Sequence, residues 1–268
     1  MLVTALRLYP LPAREISSGA IYEDIELPPP RCRDPSRPYV ILNVAASLDS
    51  RTTIEGKSSG IGSEVDRRAM RTLRSKVDVV MIGANTLRAE KLSLGLDEFS
   101  SGPQPIAVIM TATGDVPLQT NLITYGQQEV LVVIAQNTPE DKINRLRERS
   151  SVLQVPSAAS GGVDLEKTLE ALRTERGVEL VLVEGGPSLN HALISAKLAD
   201  ELFVTLAPKL LGGTADESPA IVSGPALVAR DMILVSAHLF GNELFLRYGL
   251  HPLYLEPHNT PSRLKPLL

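Results

Sequence analysis

The run at 178–190, VELVLVEGGPSLN, is the strongest constraint on what this chain can fold into. An apolar, strand-like stretch stops at Glu184, two glycines follow, and Pro187 opens a helical segment at once. Proline suits the first turn of a helix, where its missing N–H would have had no partner. The free N–H groups and dipole of a helix start attract a phosphate or pyrophosphate. An acid beside such an anion site, at the carboxyl end of a strand, is where open α/β sheets place their ligands.

The rest of the chain repeats that alternation. Apolar runs at 39–46, 77–82, 105–110, 129–135, 152–155 and 201–207 read as strands. Helical spacing appears at 64–76 with Ser63 as cap, at 139–148 with Thr138 as cap, at 164–175 ending on Gly177, and at 187–196. Asn85 and Thr86 lead into a short helical or irregular piece. Gly241-Asn242 separates runs at 233–240 and 243–248, a pattern that predicts a closing hairpin. The expected architecture is a mostly parallel sheet flanked by helices, with antiparallel strands at its end. Residues 1–37, rich in proline, are expected to form an irregular arm; 38–250 the main domain; and 251–268 an extended tail.

Composition narrows the class. The formal charge of −4 has interspersed signs and gives no reason to expect nucleic acid as a partner. The single cysteine, Cys32, excludes an internal disulfide and a cysteine-based zinc cluster, and fits a reducing cytoplasm. No basic start followed by a long apolar run stands at 1–12, and no stretch is long enough to span a bilayer. The expectation is a soluble cytoplasmic protein. His191, His238, His251 and His258 lack metal-ligand spacing, so no metal is expected. Gly-x-Ser-x-Gly and P-loop patterns are absent.

Each candidate residue carries two readings. Glu184 can hydrogen-bond a substrate or move a proton, or it can serve the helix start that follows it. Ser47 and Asp49 leave the first strand of the alternation at its carboxyl end, where they face a ligand or merely shape a turn. Gly83 to Thr86 either line a ligand or cap a helix. Arg67, Arg68, Arg71 and Arg74 crowd one helix, mostly as a solvated face from which one can reach inward to a phosphate. Gly60-Ile61-Gly62 imitates a dinucleotide fingerprint but has Val65 in place of the third glycine and no preceding strand.

Four motifs then occur in order: Asn43-Val44-Ala45-Ala46-Ser47-Leu48-Asp49, Gly83-Ala84-Asn85-Thr86-Leu87, Glu184-Gly185-Gly186-Pro187-Ser188-Leu189-Asn190, and Ala207-Pro208-Lys209-Leu210-Leu211-Gly212-Gly213. The series resembles the reductase family of riboflavin biosynthesis: the C-terminal half of bacterial deaminase-reductases and the stand-alone diaminopyrimidine reductases. The resemblance covers roughly 38–250 and implies a dihydrofolate-reductase-like fold, NADPH as cofactor and a homodimer. It implies hydride transfer to C1′ of a ribosylamino-pyrimidinone 5′-phosphate, giving the ribitylamino product. Such a reaction asks the protein to align donor and acceptor, exclude water and balance charge.

By that resemblance, Glu184 and Asn43 act at the reacting centre, and Ser58, Arg68 and Glu184 hold the substrate, with Arg68 on its phosphate. Gly83, Thr86, Glu90, Gly185, Gly186, Pro187, Ser188 and Leu189 would hold NADPH. Asn43 stands where the bifunctional enzymes usually have lysine and the stand-alone reductases have asparagine. The chain departs from the family where Asp-Gly becomes Asp49-Ser50 and where an acidic Asp-x-Pro stretch becomes Glu90-Lys91-Leu92. These departures keep two alternatives open: a dihydrofolate or pterin reductase of the same fold, and a non-catalytic nucleotide-binding protein. No basic group is committed to a cofactor 2′-phosphate, so the sequence leaves NADPH and NADH unseparated.

Overall fold

The structure, a computed structural model, describes residues 4–30, 33–90, 93–96, 102–124, 128–159, 161–214 and 217–250. Cys32, the Lys91-Leu92 pair and the expected tail at 251–268 lie outside the described residues.

In chain order the elements are β1 (Thr4–Tyr9), β2 (Arg14–Ser17), β3 (Tyr39–Ser47), α1 (Glu64–Arg74), β4 (Val79–Gly83), α2 (Ala84–Ala89), β5 (Ile106–Met110), α3 (Asn121–Thr124) and β6 (Val130–Ala135). There follow α4 (Glu140–Arg147), β7 (Ser151–Val155), α5 (Leu165–Arg176), β8 (Leu180–Val183), α6 (Pro187–Ser195), β9 (Glu201–Ala207), β10 (Ile233–Phe240) and β11 (Glu243–Gly249). Among the described residues all strands join one 11-stranded sheet in the order β2-β1-β10-β11-β9-β3-β8-β4-β5-β6-β7. From β9 to β7 every neighbouring pair is parallel, while β10, β11, β1 and β2 run antiparallel on the other side. The expected mixed sheet with its closing hairpin is the architecture found.

Parallel strands covered by helices on both faces must be apolar on both faces. Val130–Ala135 is buried at every position. Alternate side chains divide the core in two, as the strand period of two requires. Ile41, Val80, Ile82 and Leu182 pack on one face, whereas Val40, Leu42, Val79, Met81, Val181 and Val183 pack on the other. Helix ends follow local chemistry. Ser63 accepts from the N–H groups of Val65 and Asp66, Asp164 accepts from Lys167, and Gly177 closes α5 at φ 65°. The cap expected from Thr138 does not form; Pro139 borders α4 without a side-chain hydrogen bond.

The N-terminal segment corrects the expectation of an irregular arm. β1 pairs with β2 and with β10, and Ala5, Ile21 and Tyr22 are buried in the main core. Pro10 and Pro12 fall between the two strands, where their missing N–H groups interrupt no ladder. The prolines punctuate the segment without dissolving it.

At the amino ends of the central strands two acids are locked into buried pairs. The Arg37 guanidinium donates to both oxygens of Asp200 at 2.8 and 2.8 Å, and the Val40 N–H adds a third bond at 2.8 Å. Arg247 donates to Glu201 at 2.8 and 2.6 Å, and the Tyr39 hydroxyl donates at 2.9 Å. The Glu201 carboxylate thereby ties β9 to β3 and β11, and Asp200 ties the segment before β3 to the start of β9.

Candidate active site

A cleft of about 1420 Å³ opens at the carboxyl ends of the parallel strands. Pockets for one small ligand usually enclose roughly 300–1000 Å³, so this cleft has room for a dinucleotide and a second molecule. Its central wall is built by register. Leu42 pairs with Val183, which puts Asn43, midway along β3, beside Glu184 just past the end of β8, and both line the cleft.

The Glu184 carboxylate accepts from Arg74 Nε at 2.7 Å and Nη2 at 2.6 Å, a bidentate pair nearly closed to solvent. Arg74 Nη1 donates in addition to the carbonyls of Ser93 and Gly95. Burial works against the guanidinium's charge, but the attraction and hydrogen bonds of Glu184 outweigh it, so the pKa of Arg74 is raised.

The next turn is cut for a close approach of backbone to ligand. The Gly83 N–H donates to the Gly185 carbonyl at 2.9 Å, joining β4 and β8 just beyond their ladder. Gly185 sits at φ 96° and is linked to Gly186 by a cis peptide. A Cβ on Gly186 would lie 2.9 Å from the Thr86 hydroxyl, so that face stays bare. Pro187 then begins α6, whose first residues line the cleft; Leu189 and Asn190 N–H both donate to the Gly186 carbonyl, which leaves the Ser188 N–H for a ligand. Helix start, absent side chains and adjoining hydroxyl fit the pyrophosphate of a dinucleotide.

The loops around this wall are tied together. Asp49 accepts from Ser47 Oγ at 2.6 Å, Leu211 N at 3.2 Å and Gly212 N at 2.6 Å. The Ser47 hydroxyl above all, with the Gly212 and Leu211 N–H groups, holds its carboxyl down at about 2. Asp49 thus joins the loop after β3 to the Ala207–Gly213 loop. Glu90 accepts from the N–H and hydroxyl of Ser58 at 3.0 and 2.8 Å. A residue expected on the substrate and one expected on the cofactor meet across the cleft mouth.

The structure brings together Asn43, Ser58, Gly83, Thr86, Glu90, Glu184, Gly185, Gly186, Pro187, Ser188 and Leu189 on this one cleft. Arg68 is not among its lining residues; its guanidinium lies against Gly19, on the N-terminal segment. Arg67 and Arg74 are the α1 arginines that face the cleft. Helical geometry accounts for this. At about 100° per residue, Arg67 and Arg74 share a face, and Arg68 stands roughly 120° away from Arg74. That arithmetic was available in the sequence; Asp66, which sequence reasoning missed, also lines the cleft.

A family model described as the RibD C-terminal domain matches residues 38–246. The chain belongs to the RibD C-terminal domain family. Within that family it is similar to the 2,5-diamino-6-ribosylamino-4(3H)-pyrimidinone 5′-phosphate reductase of Methanothermobacter thermautotrophicus. The two are 29% identical over 218 residues, which is 79% of this chain and 98% of the relative. The Archaeoglobus fulgidus reductase of the same name is 32% identical over 204 residues, 72% of this chain and 90% of the relative. Among solved structures, the Saccharomyces cerevisiae Riboflavin Biosynthesis Reductase Rib7 superposes with TM-score 0.62 at 21% identity, covering 82% of this chain and 92% of that one. Acinetobacter baumannii RibD superposes with TM-score 0.65 at 23% identity over 81% of this chain, which spans 58% of the RibD chain. The shared fold is the dihydrofolate-reductase-like one expected from the motifs. Among the described residues no helix is long and apolar enough to cross a membrane.

Proposed function

We propose that this chain is an NADPH-dependent reductase of riboflavin biosynthesis, converting a ribosylamino-pyrimidinone 5′-phosphate to its ribitylamino form. The reading places it in the cytoplasm as a homodimer, both by resemblance to the family. The observation that carries it is the junction of two unlike half-sites at the end of β8. Glu184, clamped by Arg74, faces one half, and the bare Gly185-Gly186-Pro187 turn faces the other. The length-wide likeness to named pyrimidinone phosphate reductases supports reading that junction as a pyrimidinone phosphate site.

When bound, NADPH supplies the hydride; the protein supplies place and charge. Gly83, Gly186 and the α6 start hold the pyrophosphate close to backbone, and Thr86 offers a hydroxyl beside it. Each Glu184 oxygen accepts one bond from Arg74 and keeps a further lone pair for an N–H of the pyrimidinone. Asn43 adds an amide from the adjoining strand. Arg67 takes the part expected of Arg68 and meets the 5′-phosphate, since its guanidinium reaches the cleft and pairs only with exposed Glu64 in the hydrogen bonds described.

The test is NADPH oxidation with the pyrimidinone phosphate and with dihydrofolate side by side. Turnover of the first and not the second is expected. Turnover of dihydrofolate alone would make the chain a pterin reductase. NADPH binding without turnover of either would make it a nucleotide-binding protein.

A further inference from the structure

Imine reduction needs a proton as well as a hydride, and the cleft offers few groups free to give one. Both Glu184 oxygens are engaged as acceptors of the Arg74 guanidinium. His191 also lines the cleft, but its ring packs against Gly224 and its Nε2 meets the Pro225 carbonyl at 2.8 Å, on the α6 side. Asp66 is placed otherwise. It lies on α1 one residue before Arg67 and four before Met70, which share the same cleft wall.

An acid three residues after a helix cap ordinarily turns back to take the N–H of the cap residue. Here Glu243, from β11, has taken that bond: the Ser63 N–H donates to it at 3.1 Å and the Ser63 hydroxyl at 2.5 Å. Asp66 is released from capping with its side chain. Its carboxyl lies over the Cα of Gly62, where a Cβ would come within 2.1 Å of Oδ2. The second glycine of Gly60-Ile61-Gly62, which makes no dinucleotide fingerprint, is the space this carboxyl occupies. Asp66 also hydrogen-bonds the buried Thr205 side chain of β9.

We propose that Asp66 donates the proton to the substrate nitrogen as hydride reaches C1′, a role that rests on the reductase reading above. The C1′=N bond of the ring-opened imine becomes a single bond. Carbon gains the hydride and nitrogen gains the Asp66 proton. The dinucleotide loses two electrons with that hydride, and the carboxylate is reprotonated from water at the cleft mouth.

The surroundings suit a carboxyl that holds its proton to higher pH than an ordinary aspartate. Burial raises Asp66 to about 6; the Thr205 hydroxyl and Arg67 pull it down, while the negative charges of Glu243 and Glu184 push it up. Tyr22, within electrostatic reach of Asp66, is held in its neutral phenol form, chiefly by burial and also by the negative charge of Asp66.

The experiment compares wild type, Asp66→Asn and Thr205→Val with NADPH and the pyrimidinone phosphate, together with a carbon-13 titration of the Asp66 carboxyl in the ligand-free protein. Wild-type kcat should fall as pH rises through about 6. Asp66→Asn should lower kcat by roughly 100-fold, erase that limb and leave the Kd for NADPH unchanged. Thr205→Val removes the hydrogen bond that favours the carboxylate, so its limb should move to higher pH. If Asp66→Asn does not fold, the Thr205→Val shift and the titration decide. A kcat within threefold of wild type, an unmoved limb, or an Asp66 titrating near an ordinary aspartate would overturn the proposal. A wild type inert toward the pyrimidinone phosphate sinks the reductase reading and the proton role with it; turnover leaves only the proton role on trial.

Discussion

Two arginine–carboxylate pairs of almost identical chemistry stand at opposite ends of the parallel strands. At the amino ends, Glu201 accepts two bonds from Arg247 and one from Tyr39, and its carboxylate faces nothing but protein. At the carboxyl ends, Glu184 accepts two bonds from Arg74, and the remaining lone pairs look into a cleft. The first pair is spent on tying β3, β9 and β11 together. The second holds its acid in one orientation and leaves it available. What separates structure from chemistry here is the direction a carboxylate faces, since residue type and pairing geometry are alike.

That comparison can be pressed hard. Glu201→Gln leaves Arg247 a buried, half-paired charge and should cost about 3 kcal/mol of stability, read as a lowered Tm, with kcat of the folded fraction unchanged. Glu184→Gln should do the reverse, lowering kcat/KM by roughly 100-fold with a much smaller loss of Tm, because the Glu184 side chain, unlike that of Glu201, borders open cleft where water can make up the lost bond. If the two variants lost stability equally, the contrast between the two ends would be wrong.

Asp66 sharpens it at smaller scale. Its carboxyl is lifted from 3.8 to about 6, mainly by burial, so between those values the folded protein binds more protons than the unfolded chain. Stability therefore falls as pH rises through that window, and the penalty is complete above it. Asp66→Asn should stabilise the protein at pH 7.5 by on the order of 1 kcal/mol, allowing for cleft water, and give no such gain at pH 4. Melting curves at the two pH values check this. Smallest of all, Arg68→Ala should change kcat/KM by less than about twofold, since its guanidinium lies against Gly19 and away from the cleft.

Much of this molecule was legible in its sequence, for identifiable reasons. The parallel strands are near-continuous apolar runs because helices cover both faces, and such runs are hard to misread. Ser63, Gly177 and Gly241 mark ends that local chemistry dictates. β1 and β2 were obscured because an edge hairpin buries few residues in a proline-rich stretch, and its support comes from β10, far along the chain. The cleft glycines could be read, since a bare Cα has a local signature. The choice among four arginines could not be made from residue type; helical phase separates them, and only the position of β8 shows which one meets Glu184. Asp66 was hidden by its own spacing from Ser63, which looks like capping until Glu243 is seen to have taken that bond.

The strand order carries a consequence for how the molecule comes into being. β3 is the hub of the parallel sheet, yet Tyr39 pairs with Leu180 and Ile41 with Glu201. During synthesis both edges of the hub must therefore wait for their partners until most of the chain has left the ribosome. Asn43 and Glu184 meet only when β8 slots in beside β3, so the cleft is among the last features to form.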